Sequence, residues 1–459
     1  MHFDRIIQGG TIVTGSLQQR ADVGILDGRV AALAATLPTD DADALVDARG
    51  KLVLPGAIDV HDHFELPFCG TVSADGFANG SRAAAFGGVT TFIDFAIQGA
   101  GQTLLETLAA RRAQADPHVC IDYGLHVGIT RWDAARQEEL PAVIDAGAPT
   151  FKMFMIYRSQ GWQANDGALF GALRATARLG GTVGVHAENN DLIDFLIDEA
   201  VARGELGCPS HRVTRPDHTE AEAVGRAVQL AEAAGGHLYI FHLAAGKAAD
   251  AVRQGQRRGV AVQAETCPQY LLLDDSLFDR PDGHHFATCP PIRTPRDQQL
   301  LWEALADGTV QVVSTDTCTF TSQQKAMWEG DFRKIPFGMP GIETLLPLLF
   351  SEGVTRGRIS LGRLVELLSE NPAKLFGMWP DKGTIAVGRD ADLVVFDPTL
   401  EVTLDPENLH SACDYSPFAG RVVRGWPTHT YVRGRPVVEE RRFVGEPGSG
   451  RYVVRRPRS

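Results

Sequence analysis

Between residues 52 and about 380 the chain alternates short apolar runs of β character with Ala/Leu/Arg-rich stretches of helical period. The runs are Leu52–Val60, Thr90–Phe95, Ile121–Val127, Thr150–Met155, Thr182–Val185, Leu238–Phe241, Val260–Gln263 and Val310–Ser314. Helical stretches such as Leu104–Ala115 and Glu220–Ala234 fall between them. Eight β runs separated by helices predict an α/β fold of the (β/α)8 TIM-barrel type. A doubly wound open sheet is the competing architecture, but no Gly-x-Gly-x-x-Gly follows an early strand.

The texture changes outside that region. Ile6–Val13 and Asp22–Leu26 near the start, and Ala391–Phe396 and Thr430–Val438 near the end, are short β segments with glycine turns such as Asp27-Gly28. A short N-terminal piece alone buries too little core to stand by itself. The simplest architecture therefore folds both ends into one small β-sandwich, residues 1–54 with 380–459, around a barrel at 55–379. Independent end segments are the alternative. A chain of 459 residues is long enough for one large barrel plus such a module.

A barrel places its active-site groups at the C-terminal ends of its strands. Residues of metal-binding type collect there. His61 and His63 close the first run, and residues i and i+2 of a strand share a face. Lys152 sits within the fourth run, His186 ends the fifth, His242 the sixth and Asp316 the eighth. Singly, each has a plain structural explanation: a hydrogen-bonded core histidine, a helix N-cap for Asp316, a snorkelling lysine. Together they would converge above the barrel axis. Lys152 is the informative member, because burying an ammonium beside two cations is strongly unfavourable. A neutral amine carrying CO2 as a carbamate removes the conflict, and its two oxygens suit it to bridging two divalent ions. Two such ions activate water and polarise a carbonyl, so the chemistry implied is hydrolysis.

The balance of charge narrows the partners. A net charge of −13 argues against nucleic acid and anionic membrane surfaces. No apolar run is long enough to span a bilayer, and Met1–Arg5 shows no secretory signal pattern. Seven scattered cysteines, with no Cys-x-x-Cys pair, fit a reducing cytoplasm.

The set His61-x-His63, Lys152, His186, His242 and Asp316 resembles the binuclear centre of the amidohydrolase superfamily, and more narrowly the dihydropyrimidinases and hydantoinases. Phe151–Met155, Glu265–Tyr270, Glu370–Lys374 and Gly383–Leu393 add to the likeness. The resemblance implies two divalent ions, zinc being the expected metal. His61, His63 and Asp316 would hold one, His186 and His242 the other, and carboxylated Lys152 would bridge them. Asp316 would also carry the proton from the attacking water to the departing ring nitrogen, and Tyr157 would donate to the developing oxyanion. Tyr157, Cys289 and Phe337 fall where family members contact the ring, the last two through backbone groups. Phe64, Leu66, Phe68 and Phe154 are candidates for an apolar pocket rim, with core packing an equal prospect for Phe154. The expected reaction opens hydantoins or dihydropyrimidines to N-carbamoyl amino acids, in a homotetramer, with the tail from Arg442 onward available to dock on a neighbour.

Two residues depart from the pattern: Thr317 stands where histidine is usual and Phe337 where asparagine is usual. Allantoinase, dihydroorotase and cyclic imide hydrolase are the alternative activities. Dihydroorotases carry an arginine shortly after His-x-His, whereas this chain reads Phe64-Glu65-Leu66. A non-catalytic scaffold is the alternative of a different class, and the full ligand set argues against it.

Overall fold

The computed structural model describes residues 2–458. Eight parallel strands form the central sheet: β1 (Ala57–Asp62), β2 (Val89–Ile97), β3 (Asp122–Gly128), β4 (Thr150–Phe154), β5 (Thr182–His186), β6 (His237–Ile240), β7 (Val262–Thr266) and β8 (Val312–Val313). They pair in sequence order, as expected when each crossover is a helix. The strands are almost wholly buried on both faces, which explains their continuous apolar runs. The helix Leu104–Ala115 begins with a capping box, Thr103 and Glu106 satisfying each other's backbone N–H.

The seam between β8 and β1 is closed by a side chain. Asp59 accepts the Thr315 N–H at 3.1 Å and the Thr315 hydroxyl at 2.6 Å, and Asp62 bridges Thr317 in parallel register. The eighth strand, Val312–Val313, is shorter than the run Val310–Ser314, although the Gln311 and Ser314 amides also bond β7.

Both chain ends build a second, nine-stranded sheet. Leu52–Pro55 runs parallel to Arg5–Val13 on one side and antiparallel to Leu393–Leu404 on the other, so it joins the N-terminal and C-terminal halves. Ile7, Val23, Val53, Leu393, Val395 and Tyr431 form its core. Gly56 alone separates this sheet from β1; a β-carbon there would meet Thr90 Oγ1 at 1.9 Å. Lys382 fastens the two units, donating to Asp122 of β3 at 2.7 Å and to Asp392 at 2.5 Å.

The tail does not extend away from the molecule. Arg451 and Val453 pair with the Tyr123 backbone, and Arg456 with Gly377. The buried Arg455 donates to Thr150 Oγ1 at 3.0 Å and to the Leu125 carbonyl. The segment thus closes the N-terminal floor of its own barrel, leaving the opposite end free for the site. No helix among the described residues is long and apolar enough to cross a membrane.

Candidate metal centre

The strand-end residues converge as the barrel geometry requires. His61 and His63 turn to the barrel axis, their Nε2 atoms 3.1 and 3.2 Å from Asp316 Oδ1. The His61 and His242 ring centroids lie 5.2 Å apart, and those of His186 and His242 4.4 Å apart. Lys152 reaches the same space. Its Nζ stands 3.9 Å from the Phe241 ring centroid and 5.1 Å from that of Phe95, over ring faces rather than against a carboxylate. Asp316 and His242 adopt left-handed backbone conformations, φ 53° and 39°, which turn the chain sharply at the strand ends.

Electrostatics favour neutral imidazoles here. Burial pushes His61 and His242 well below the ordinary histidine value, and the Lys152 charge adds to the effect. Burial lowers Lys152 to about 8, opposed by Asp316 and Glu265. Nδ1 of His63 and His242 and Nε2 of His61 are buried without a hydrogen-bond partner. One ligand atom each from His61, His242 and Asp316 fall within 4.8 Å of one another. Unpartnered imidazole nitrogens around a carboxylate are costly unless a cation takes their lone pairs, so the donor set fits divalent metal.

Two buried carboxylates, Glu265 and Glu188, orient these ligands, and neither was a site candidate from the sequence. Glu265, at the end of β7, accepts from His61 Nδ1 at 2.5 Å, from the His242 N–H at 3.1 Å and from the Tyr239 hydroxyl at 2.9 Å. Its position at a strand end was the available signal. Glu188 Oε2 lies 2.8 Å from His186 Nε2 and accepts from the Cys289 thiol at 3.2 Å. Burial would raise Glu188, but His186, Arg215 and Arg293 hold it down at about 2. Such partners fix the tautomer and aim of a ligating histidine.

The centre opens into a pocket of about 520 Å³, mouth included. Leu66, Phe68, Phe154, Tyr157, Trp162 and Phe337 form its apolar walls, and Cys289 and Cys318 line it too. Tyr157 lies beyond the end of β4 with φ 69° and packs 5.2 Å from the His186 ring. Trp162 was not foreseen: it follows the turn Arg158–Gln160 and packs on Phe154. Phe64 is corrected. It is fully buried between Phe77 and Phe92, in the core rather than on the rim, because its amide bonds Asp94 and turns the side chain inward. Thr317 bonds Thr315, two residues earlier on the β8 side of the seam, at 2.7 Å, and does not line the pocket.

Comparison with known proteins agrees with this geometry. The profile of the amidohydrolase family matches residues 52–437. A D-hydantoinase of Geobacillus stearothermophilus is 44% identical over 455 residues, 98% of this chain and 96% of that protein. The chain belongs to the hydantoinase and dihydropyrimidinase family of amidohydrolases. The dihydropyrimidinase structure from Brevibacillus agri superposes with a TM-score of 0.97 at 42% identity, covering 99% of each chain. The L-hydantoinase structure from Arthrobacter aurescens, at 34% identity, has a TM-score of 0.91 over 99% of this chain and 100% of that one. Family membership makes the protein a cyclic amidohydrolase, and the family's binuclear metal centre has its counterpart in the donor set at the barrel mouth.

Proposed function

We propose that the protein opens the ring amide of hydantoins or dihydropyrimidines carrying an apolar substituent or none, giving N-carbamoyl amino acids. One observation carries this reading: the pocket walls are aromatic and aliphatic, and no arginine is among the residues that line it. A dihydroorotate carboxylate would need such a cation.

His61, His63 and Asp316 would hold one divalent ion and His186 and His242 the other, with Lys152 shared between them as a carbamate. Zinc is the metal proposed. When bound, the ions supply the positive charge that polarises the carbonyl and makes water nucleophilic near neutral pH. The chain's residues do the rest. Asp316 takes a proton from the attacking water and delivers it to the ring nitrogen as the C–N bond breaks and the C–O bond forms. The Tyr157 hydroxyl donates to the carbonyl oxygen as negative charge develops on it. Backbone groups at Cys289 and Phe337 hold the ring amide, a role that tolerates the Phe337 side chain. The aromatic walls receive the substituent and exclude water.

The protein is proposed to act in the cytoplasm as a homotetramer, which light scattering at micromolar concentration would test; a monomer mass refutes it. The reaction is tested by a hydrolysis screen over hydantoin, C5-substituted hydantoins, dihydrouracil, allantoin, dihydroorotate and cyclic imides. Preference for apolar hydantoins or dihydrouracil is expected. Preference for dihydroorotate or allantoin would overturn the assignment.

A further inference from the structure

Two buried side chains outside the pocket touch both loops that would hold the ring amide. We propose that Lys325 and His211 are positioning residues that lock segment 286–290 to segment 335–339 and so set the gap between the peptide groups of Cys289 and Phe337. The inference rests on the cyclic-amide reading for its substrate, and on geometry for the clamp.

Lys325 ends the short helix Ser322–Lys325 and is fully buried. Its ammonium donates to the Pro336 carbonyl at 2.6 Å and to the Ala287 carbonyl at 3.2 Å. The Gly338 N–H reaches the same Ala287 oxygen at 3.0 Å. One cation therefore ties the residue before Phe337 to the residue two before Cys289. Among the described residues no carboxylate pairs with it. Its neighbours include the Phe320 ring, 5.9 Å away, the thiols of Cys69, Cys208, Cys318 and Cys413, and the neutral imidazoles of His211, His284 and His285. A buried ammonium without a counter-ion is expensive, so those two carbonyl bonds are what holds it in place. The helix carrying it is itself pinned, Gln324 donating to Thr71 Oγ1 at 2.8 Å and to the Val72 carbonyl at 2.7 Å.

His211 repeats the arrangement from another element. Its Nε2–H donates to the Thr288 carbonyl at 2.8 Å, while its ring stacks on Phe337 with centroids 4.8 Å apart and planes at 22°. It grips one loop by its backbone and the other by its side chain. Neither Lys325 nor His211 lines the pocket, so each acts through the loops. A planar amide held between two peptide groups is sensitive to their spacing, because misplacement by a fraction of an ångström weakens both hydrogen bonds.

The test uses the metal-loaded full chain with Lys325→Met, His211→Phe and the double variant. Metal content, steady-state hydrolysis of hydantoin and dihydrouracil, and hydrogen exchange of the two segments are measured. Each single variant is expected to raise KM by roughly ten-fold with kcat little changed, the loss of one buried charged or polar hydrogen bond. Amides in both segments should exchange faster in each single variant. The double variant should fall short of the product of the two effects, since both residues serve one spacing. Faster exchange in only one segment, a fall in kcat at constant KM, or independent multiplying effects would overturn the clamp. Should Lys325→Met fail to fold, His211→Phe carries the same two readouts alone. A wild-type enzyme inert towards every cyclic amide would refute the reaction, and the exchange measurement would still decide the clamp.

Discussion

Oε1 of Glu265 stands 2.5 Å from Nδ1 of His61, and neither residue touches solvent. This contact fixes the Nδ1 side of the imidazole and leaves Nε2 facing Asp316. The same carboxylate receives the His242 amide, so one side chain orients residues from β1 and from the end of β6.

Glu265→Gln should therefore weaken metal binding by roughly 10–100-fold, the usual cost of losing a partner behind a ligating histidine. Competition against a chromophoric chelator measures it. Wild-type affinity in the variant would remove Glu265 from the account.

Lys152→Ala should lose most activity and at least one ion per chain while keeping its fold. Without a bridging anion, two dications repel in a pocket from which water is excluded. A short carboxylic acid added to the assay should restore part of the turnover, and Lys152→Arg should not, because a guanidinium cannot become an anion. Elemental analysis and activity decide this, and two retained metals with near-normal hydrolysis would refute the bridging role.

Trp162→Ala should lower kcat/KM for an aryl-substituted hydantoin by roughly ten-fold, the expected cost of an exposed aromatic face in the pocket wall. Unsubstituted hydantoin should be nearly unaffected. Equal losses on both substrates would show that Trp162 acts on the centre rather than on the substituent.

His211 gives a pH prediction with a definite sign. Burial, aided by the Arg215 charge, lowers its folded value from 6.5 to about 3. Between those values the unfolded chain binds the extra proton, so the folded state loses stability as pH falls from about 6.5 towards 3, with a slope near 1.4 kcal/mol per pH unit at most. The contribution is fully present above 6.5. Denaturant titrations of His211→Phe beside wild type should show a shallower acid loss in the variant; parallel curves would refute it.

The barrel and its ligand-type residues were legible because strand period and strand-end polarity are local signals. His61, His63, Lys152, His186, His242 and Asp316 each follow or lie within an apolar run that the chain itself displays. The supporting groups were not legible for the opposite reason. Asp59 closes the seam against Thr315 across a sequence separation of 256, and Lys325 meets Ala287 and Pro336 through bonds fixed by loop paths. Nothing in the neighbourhood of Phe64 announces that Asp94 will turn it inward, whereas Trp162 and Phe337 differ from core aromatics only in which way a loop folds.

The sheet woven from both ends also imposes an order of events on synthesis. The Arg5 side chain pairs with Glu439 at a sequence separation of 434. At ribosomal rates of 5–20 residues per second, Leu52–Pro55, already paired with Arg5–Val13, waits some tens of seconds for Leu393–Leu404 to emerge on its other side. For that time Leu52–Pro55 presents an unpaired apolar edge, open to association with other nascent chains. Yield in a recombinant host should then depend on chaperone supply during translation, even though the finished molecule has covered that edge.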